Sequence, residues 1–172
     1  FIEWSNINKK NIKLRIIGFV YLSFVLFSSY NLRGNSFEEA IFFILALCIC
    51  AGSDIGGYLF GKIIGGKKLI KISPNKTISG SIGSFVFSII PIFIFNFQNY
   101  IIFELSLKNV LFCLIVSLFC QAGDLIISYF KRLNKVKDTG TMLPGHGGFL
   151  DRIDGIIFSI PTIYILKITQ IF

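Results

Sequence analysis

Long apolar runs separated by short basic stretches are the feature that most constrains this chain. The 20 Phe are spread through the runs, whereas the 17 Lys and Arg fall almost entirely between them. A bilayer core about 30 Å thick needs roughly 20 helical residues at about 1.5 Å each. Five runs approach that length: about Ile16 to Leu32, Ala40 to Leu59, Ser81 to Phe97, Asn109 to Phe130 and Ile153 to Ile171. The second and fourth each carry one Asp near the C-terminal end. A soluble helical bundle would need a polar stripe along each helix, and the segment IFFILALCICAG has none. With 53% hydrophobic residues and a mean hydropathy of +0.74, the sequence predicts an all-α, polytopic integral membrane protein of about five transmembrane helices.

Charge sets the orientation. With a cytoplasmic N-terminus, the inner side receives Lys9, Lys10, Lys13, Arg15, Lys62, Lys67, Lys68, Lys71, Lys76, Lys131, Arg132, Lys135, Lys137 and Arg152, leaving Arg33, Lys108 and Lys167 outside. That asymmetry satisfies the positive-inside rule. A net charge of +8 would suggest nucleic acid as partner in a soluble protein. Here the basic loops serve orientation and contact with anionic lipid headgroups, so membrane lipids are expected and nucleic acid is not. The chain opens at Phe1 without a Met or a signal-peptide cleavage pattern. Further N-terminal spans are therefore expected before a single domain that covers residues 1–172, with inner loops at 61–80 and 131–152.

The polar residues that could do chemistry lie in or beside those two loops. Asp54 and Asp124 stand at the inner ends of spans, and Asp151 and Asp154 where the last span begins. Carboxylates at that depth are costly, and a proton or a metal ion is their usual partner. The plainer alternative pairs each with a nearby base, for instance Asp151 or Asp154 with Arg132. Cys48, Cys50, Cys113 and Cys120 lie in apolar runs without ligand spacing and read as small hydrophobes. Converging acidic oxygens without usable Cys suit a hard cation such as Mg²⁺, not zinc.

The single His146 sits in Leu-Pro-Gly-His-Gly-Gly. Its glycines leave backbone N–H groups open to approach and permit left-handed conformations, so the loop could cradle phosphate or simply form a turn. In SPNKTISGSIG, Ser73-Pro74 reads as a turn, and Lys76, Thr77 and Ser79 offer a cation and hydroxyls ahead of a span. Phosphate binding and plain helix capping remain equally open there.

Ser128 to Asp154, SYFKRLNKVKDTGTMLPGHGGFLDRID, resembles the signature of the phosphatidate cytidylyltransferases, or CDP-diacylglycerol synthases, over 27 residues. The Lys-Arg pair, the Lys-Asp pair, the Pro-Gly-His-Gly-Gly loop and the closing Asp-Arg-Ile-Asp stand at the family spacing. Asp54-Ile-Gly-Gly-Tyr-Leu-Phe-Gly-Lys62 is similar to the family's Asp-x-x-Ala-Tyr-x-x-Gly-Arg/Lys stretch, with Gly57 in place of Ala. SPNKT and Gly123-Asp124-Leu125 follow in the expected order. Ser79 stands where the family usually has Glu or Gln. The resemblance begins near Cys48, so no specific motif covers the first span.

The resemblance implies transfer of the cytidylyl group of CTP to phosphatidate, giving CDP-diacylglycerol and pyrophosphate for phospholipid biosynthesis. It also implies Mg²⁺, with room for a second, monovalent cation such as K⁺ and for a homodimer. By carry-over, Asp124 and Asp151 are the first metal-ligand candidates, followed by Asp154 and Asp54. Lys131, Arg132, Lys137 and Arg152 would neutralise phosphates, and Asp138 would orient a cation or join the metal shell. Gly145, Gly147 and Gly148 would bind phosphate; Ser73, Lys76 and Thr77 would hold CTP or the headgroup; His146 would donate a hydrogen bond or a proton. Such an enzyme belongs in the inner, cytoplasmic membrane with its active site facing the cytoplasm, and it needs a polar cavity open to that side. The rival readings are a related transferase acting on another lipid phosphate, an ion-coupled transporter and an inactive scaffold.

Overall fold

A computed structural model describes residues 1–9, 11–70, 73–97, 105–143, 145 and 147–170, and of Pro74 and Asn75 the backbone alone. Six helices and one hairpin follow in the order α1 (Ile2–Ile7), α2 (Ile12–Arg33), α3 (Phe37–Ile63), β1 (Lys68–Ile70), β2 (Ser73–Thr77), α4 (Ile78–Phe97), α5 (Leu107–Leu133) and α6 (Leu150–Ile168). The chain is an all-α, polytopic membrane protein. Each long helix starts where local chemistry permits. Asn11, Ser36 and Ser106 accept the N–H groups of Leu14, Glu39 and Asn109, and Ser36 with Glu39 forms a complete capping box.

Helices α2 to α5 are long and apolar enough to cross a membrane. The fifth predicted span coincides with α6, whose 19 residues include Asp151, Arg152, Asp154 and Lys167, a higher density of charge than in the other four. Large apolar side chains face outward on the spanning helices, among them Leu26, 72% exposed, and Val20, 62% exposed. In water that surface would be untenable; in hydrocarbon it is the solvated face. A tight seam lies inside, where Leu45, Ile49 and Cys50 of α3, Ile92 of α4, Cys113, Val116 and Cys120 of α5, and Ile160 and Ile163 of α6 meet.

Two pairs of helices approach very closely. Between α3 and α4, a Cβ on Gly83 would stand 2.6 Å from the Gly56 carbonyl oxygen. Between α5 and α6, a Cβ on Gly123 would stand 2.6 Å from the Asp154 carbonyl oxygen. Small residues at such crossings let membrane helices pack backbone to backbone. The second crossing also brings the residue after Gly123, which is Asp124, beside Asp154.

Two elements depart from the sequence reading. SPNKT, read as a turn and cap, is strand β2, paired antiparallel with β1 so that Lys68 faces Thr77 and Ile70 faces Ser73. Six-residue α1 had no periodicity to announce it and is held by Trp4. The Trp4 indole donates to the Leu14 carbonyl at 2.8 Å and packs edge-on against Phe130, lying where any side chain on Gly18 would be. Trp4 is the chain's single Trp, so its fluorescence reports on α1 directly. Gly18→Val is expected to expel the indole and shift its emission to the red by several nanometres or more, with new access to an aqueous quencher; an unchanged spectrum would show that α1 docks without this contact.

Candidate active site

Four helices bring their same-side ends around one polar cavity of about 340 Å³, within the range of small-ligand pockets. Asp54, Gly57 and Tyr58 come from the C-terminal half of α3, and Lys76 and Thr77 from β2. Ser81 and Ser84 come from the start of α4, Gln121 and Asp124 from α5, and Asp151, Arg152 and Asp154 from the first turns of α6. A polar cavity is therefore present at one end of the bundle. Seven of the residues singled out from the sequence line it: Asp54, Lys76, Thr77, Asp124, Asp151, Arg152 and Asp154.

The acids are matched by lysines. Lys76 forms an ion pair with Asp124, and Lys131 reaches Asp151 at 2.7 Å. Asp151 thus pairs with Lys131, not with Arg132. The remaining oxygen of Asp151 accepts the backbone N–H of Thr139 at 2.8 Å, its hydroxyl at 3.0 Å and the Gly148 N–H at 3.1 Å. The Lys131 ammonium and the two backbone N–H groups compensate the Asp151 carboxylate for the water it loses on burial. Lys131→Met leaves it without its cation. Breaking such a pair costs up to about 3 kcal/mol, and a lower melting temperature in detergent at pH 7 is expected; no change would mean that the backbone N–H groups alone suffice.

Asp124 and Asp154 line the same cavity, close enough for their charges to interact. Two carboxylates so placed need a proton or a cation between them. Asp54 stands on the other side, accepting the Cys120 thiol at 3.5 Å, and Ser128 donates to Asp124 at 3.4 Å. Among the described residues, no group of three or more Asp, Glu, His or Cys side chains is in position to hold a metal ion. A pair of carboxylates is still what Mg²⁺ commonly takes from a protein, since water and substrate phosphates complete its shell. The oxygen-only donor set therefore fits a hard cation.

Among the described residues, the other singled-out ones do not line the cavity. Arg132 is exposed in the last turn of α5, Lys137 and Asp138 are exposed on the segment after it, and Gly145 is exposed with φ +75°. Gly147, at φ +85°, lies against Asp138 and Asp151, where a Cβ would be 3.4 and 3.3 Å away. The N–H of Gly148 is already taken by Asp151. Ser73 begins β2 and is half-buried. Ser79, the departure from the family pattern, bonds to Thr77 at 2.9 Å and to the Gly65 carbonyl, tying the hairpin to the end of α3. His146 lies outside the described residues, as do Lys10 and Lys71.

Residues that the sequence reading passed over complete the site. Ser81 donates to Gln121, Gln121 to Ser117 at 3.3 Å, and Ser117 shares a proton with Ser53 at 2.8 Å. A polar line thus runs from the cavity into the bundle. These side chains stood in apolar runs, and only their depth in the fold distinguishes them.

Fold and cavity together define a polytopic helical membrane protein with acids and lysines gathered in one polar cavity at the end of its bundle. The chain matches the Cytidylyltransferase family over residues 3–169, and it belongs to that family. It is 40% identical over 155 residues to the phosphatidate cytidylyltransferase of Staphylococcus saprophyticus, covering 88% of this chain and 55% of that protein. To the phosphatidate cytidylyltransferase of Staphylococcus aureus it is 41% identical over 157 residues, covering 90% and 58%. The chain thus spans little more than half the length of these relatives.

Proposed function

We propose that this chain carries the active site of a phosphatidate cytidylyltransferase, joining CTP to phosphatidate with release of pyrophosphate at the cytoplasmic side of the membrane. The observation that carries the reading is the convergence of Asp54, Asp124, Asp151 and Asp154 with Lys76 and Thr77 in one cavity, in a member of this family. The side assignment rests on the basic loops, with α6 as the fifth span.

A phosphate oxygen of phosphatidate attacks the α-phosphorus of CTP; the new P–O bond forms as the bond to the leaving pyrophosphate breaks. The lipid monoester is ionised near neutral pH, so no strong base is needed. The task is to hold two polyanions in line and stabilise the charge that builds on the phosphates. Asp124 and Asp154 would hold Mg²⁺, which when bound supplies charge neutralisation and orientation of phosphate oxygens. Lys76 and Lys131 are paired with acids and are placed to turn toward incoming phosphates. Arg152 and the Thr77 hydroxyl add donors on the same wall. A transporter would place its acids near the midplane; here Asp151 and Asp154 lie in the first turns of α6, while Asp54 and Asp124 stand deeper, within the C-terminal halves of α3 and α5.

The test is incorporation of labelled CTP into lipid by purified protein in detergent with Mg²⁺. Label should enter lipid only when phosphatidate is present. Incorporation with another lipid phosphate but not phosphatidate would change the substrate, and none from folded protein with either would sink the reading.

A further inference from the structure

The first turn of α6 lacks a side-chain cap of its own, although it carries Asp151, Arg152 and Asp154. Its cap comes from 146 residues away. One carboxylate oxygen of Glu3 accepts the N–H of Phe149 at 2.9 Å, and the other accepts the N–H of Leu150 at 2.7 Å. The second oxygen also stands 3.2 Å from the Thr139 hydroxyl, which is itself 3.0 Å from Asp151. Thr139 is 4% exposed, so water does not relieve the arrangement. A hydroxyl has one proton, and here it lies between two carboxylates.

We propose that Glu3 is a positioning residue for the cavity: it fixes the 139–150 segment from outside and, by competing for the Thr139 proton, sets how Asp151 presents its oxygens. Glu3 occupies the α6 N–H groups that would otherwise attract phosphate. Anions are thereby left to the cavity cations Lys76 and Arg152. The placement depends on α1, pinned by Trp4 in the Gly18 notch and by buried Asn8, whose carbonyl oxygen accepts from Asn134 at 3.4 Å. The motifs that carry the family resemblance do not include Glu3 and assign no role to Thr139. Both act through Asp151 and the α6 turn rather than on substrate.

The inference rests on the proposed cytidylyl transfer for its kinetic consequence, and its structural half is independent. Parent, Glu3→Ala, Glu3→Gln and Thr139→Val are compared by amide hydrogen exchange across residues 139–151 and by turnover at varied CTP, with Trp4 emission confirming that α1 stays docked. In Glu3→Ala, exchange at Phe149 and Leu150 should rise at least about tenfold, as expected on losing two charge-assisted hydrogen bonds. Turnover should fall about tenfold or more with the KM for CTP raised, and Glu3→Gln, which keeps one acceptor, should recover part of both. Glu3→Gln and Thr139→Val combined should do little more harm than the worse single change, because both act through one shared proton. Unchanged exchange in Glu3→Ala overturns the proposal, as does parent-like kcat and KM in an active protein. Lost protection in a series whose parent shows no turnover supports the tether and counts against the proposed function alone.

Discussion

Asp124→Asn is expected to lower cytidylyl transfer at least about 100-fold, the scale on which removal of one preorganised charge-stabilising group acts, while leaving the fold intact. Asp124 interacts with three groups that matter: Lys76, Asp154 and Ser128. Its pair with Lys76 is partly exposed, with side-chain exposures of 36% and 24%. Losing such a pair costs about 1 kcal/mol or less, so melting should barely move. The ion pair suggests a competing explanation, in which Asp124 serves only to neutralise Lys76. The double variant Lys76→Met/Asp124→Asn separates the two. If the pair merely balances charge, the neutral double variant should recover activity lost in either single one. If Asp124 binds a cation and Lys76 binds phosphate, the double variant should be at least as impaired as Asp124→Asn. Recovery to within about threefold of the parent would sink the site assignment.

What was legible beforehand follows from where each residue's constraint lies. Apolar runs declare themselves because the bilayer imposes a length, and Asp54, Asp124, Asp151 and Asp154 stood out because carboxylates at span ends are costly. Their meeting in one cavity follows from helices that reverse direction at every loop. Lys131 was singled out as a cation for phosphate, and its pairing with Asp151 was not foreseen: one residue along α5 turns the side chain by about 100°, so Lys131 faces Asp151 and Arg132 faces outward. Helix α1 was invisible because six residues form no stable helix alone; it exists only through Trp4 and Gly18. Glu3 was missed for the same reason, since its partners at Thr139, Phe149 and Leu150 lie more than 130 residues on. Strand β2 was hidden by Pro74, a residue that weakens any strand reading. Ser81, Gln121 and Ser117 looked like polar interruptions in apolar helices, and only the packed bundle joins them into a line.

Gly56→Leu is expected to abolish both folding yield and activity, the largest structural effect available at a single position outside the charged cavity. A Cβ on Gly56 would run into the Gly83 carbonyl, with the Phe87 Cβ 2.6 Å away. Backbone cannot rotate aside as a side chain can. Gly56→Ala sets two effects against each other: alanine gains up to about 1 kcal/mol of helix propensity, while overpacking a close contact costs about 1–3 kcal/mol. With backbone as the obstacle the cost wins, and a net loss of about 1–2 kcal/mol is expected, read as a lower midpoint of thermal unfolding by circular dichroism in detergent. The same crossing sets the cavity, because Asp54, Gly57 and Tyr58 line it from α3 and Gly80, Ser81 and Ser84 from α4. Spreading these helices would carry Asp54 away from Asp124 and move Lys76 at the root of α4, so turnover in Gly56→Ala should fall even at temperatures where the protein stays folded. Ile55→Ala is the control: the neighbouring side chain is 54% exposed toward lipid and should change neither measurement much. Parent-like stability in Gly56→Leu would mean that α3 and α4 do not cross here, and the cavity built on their crossing would have to be abandoned with it.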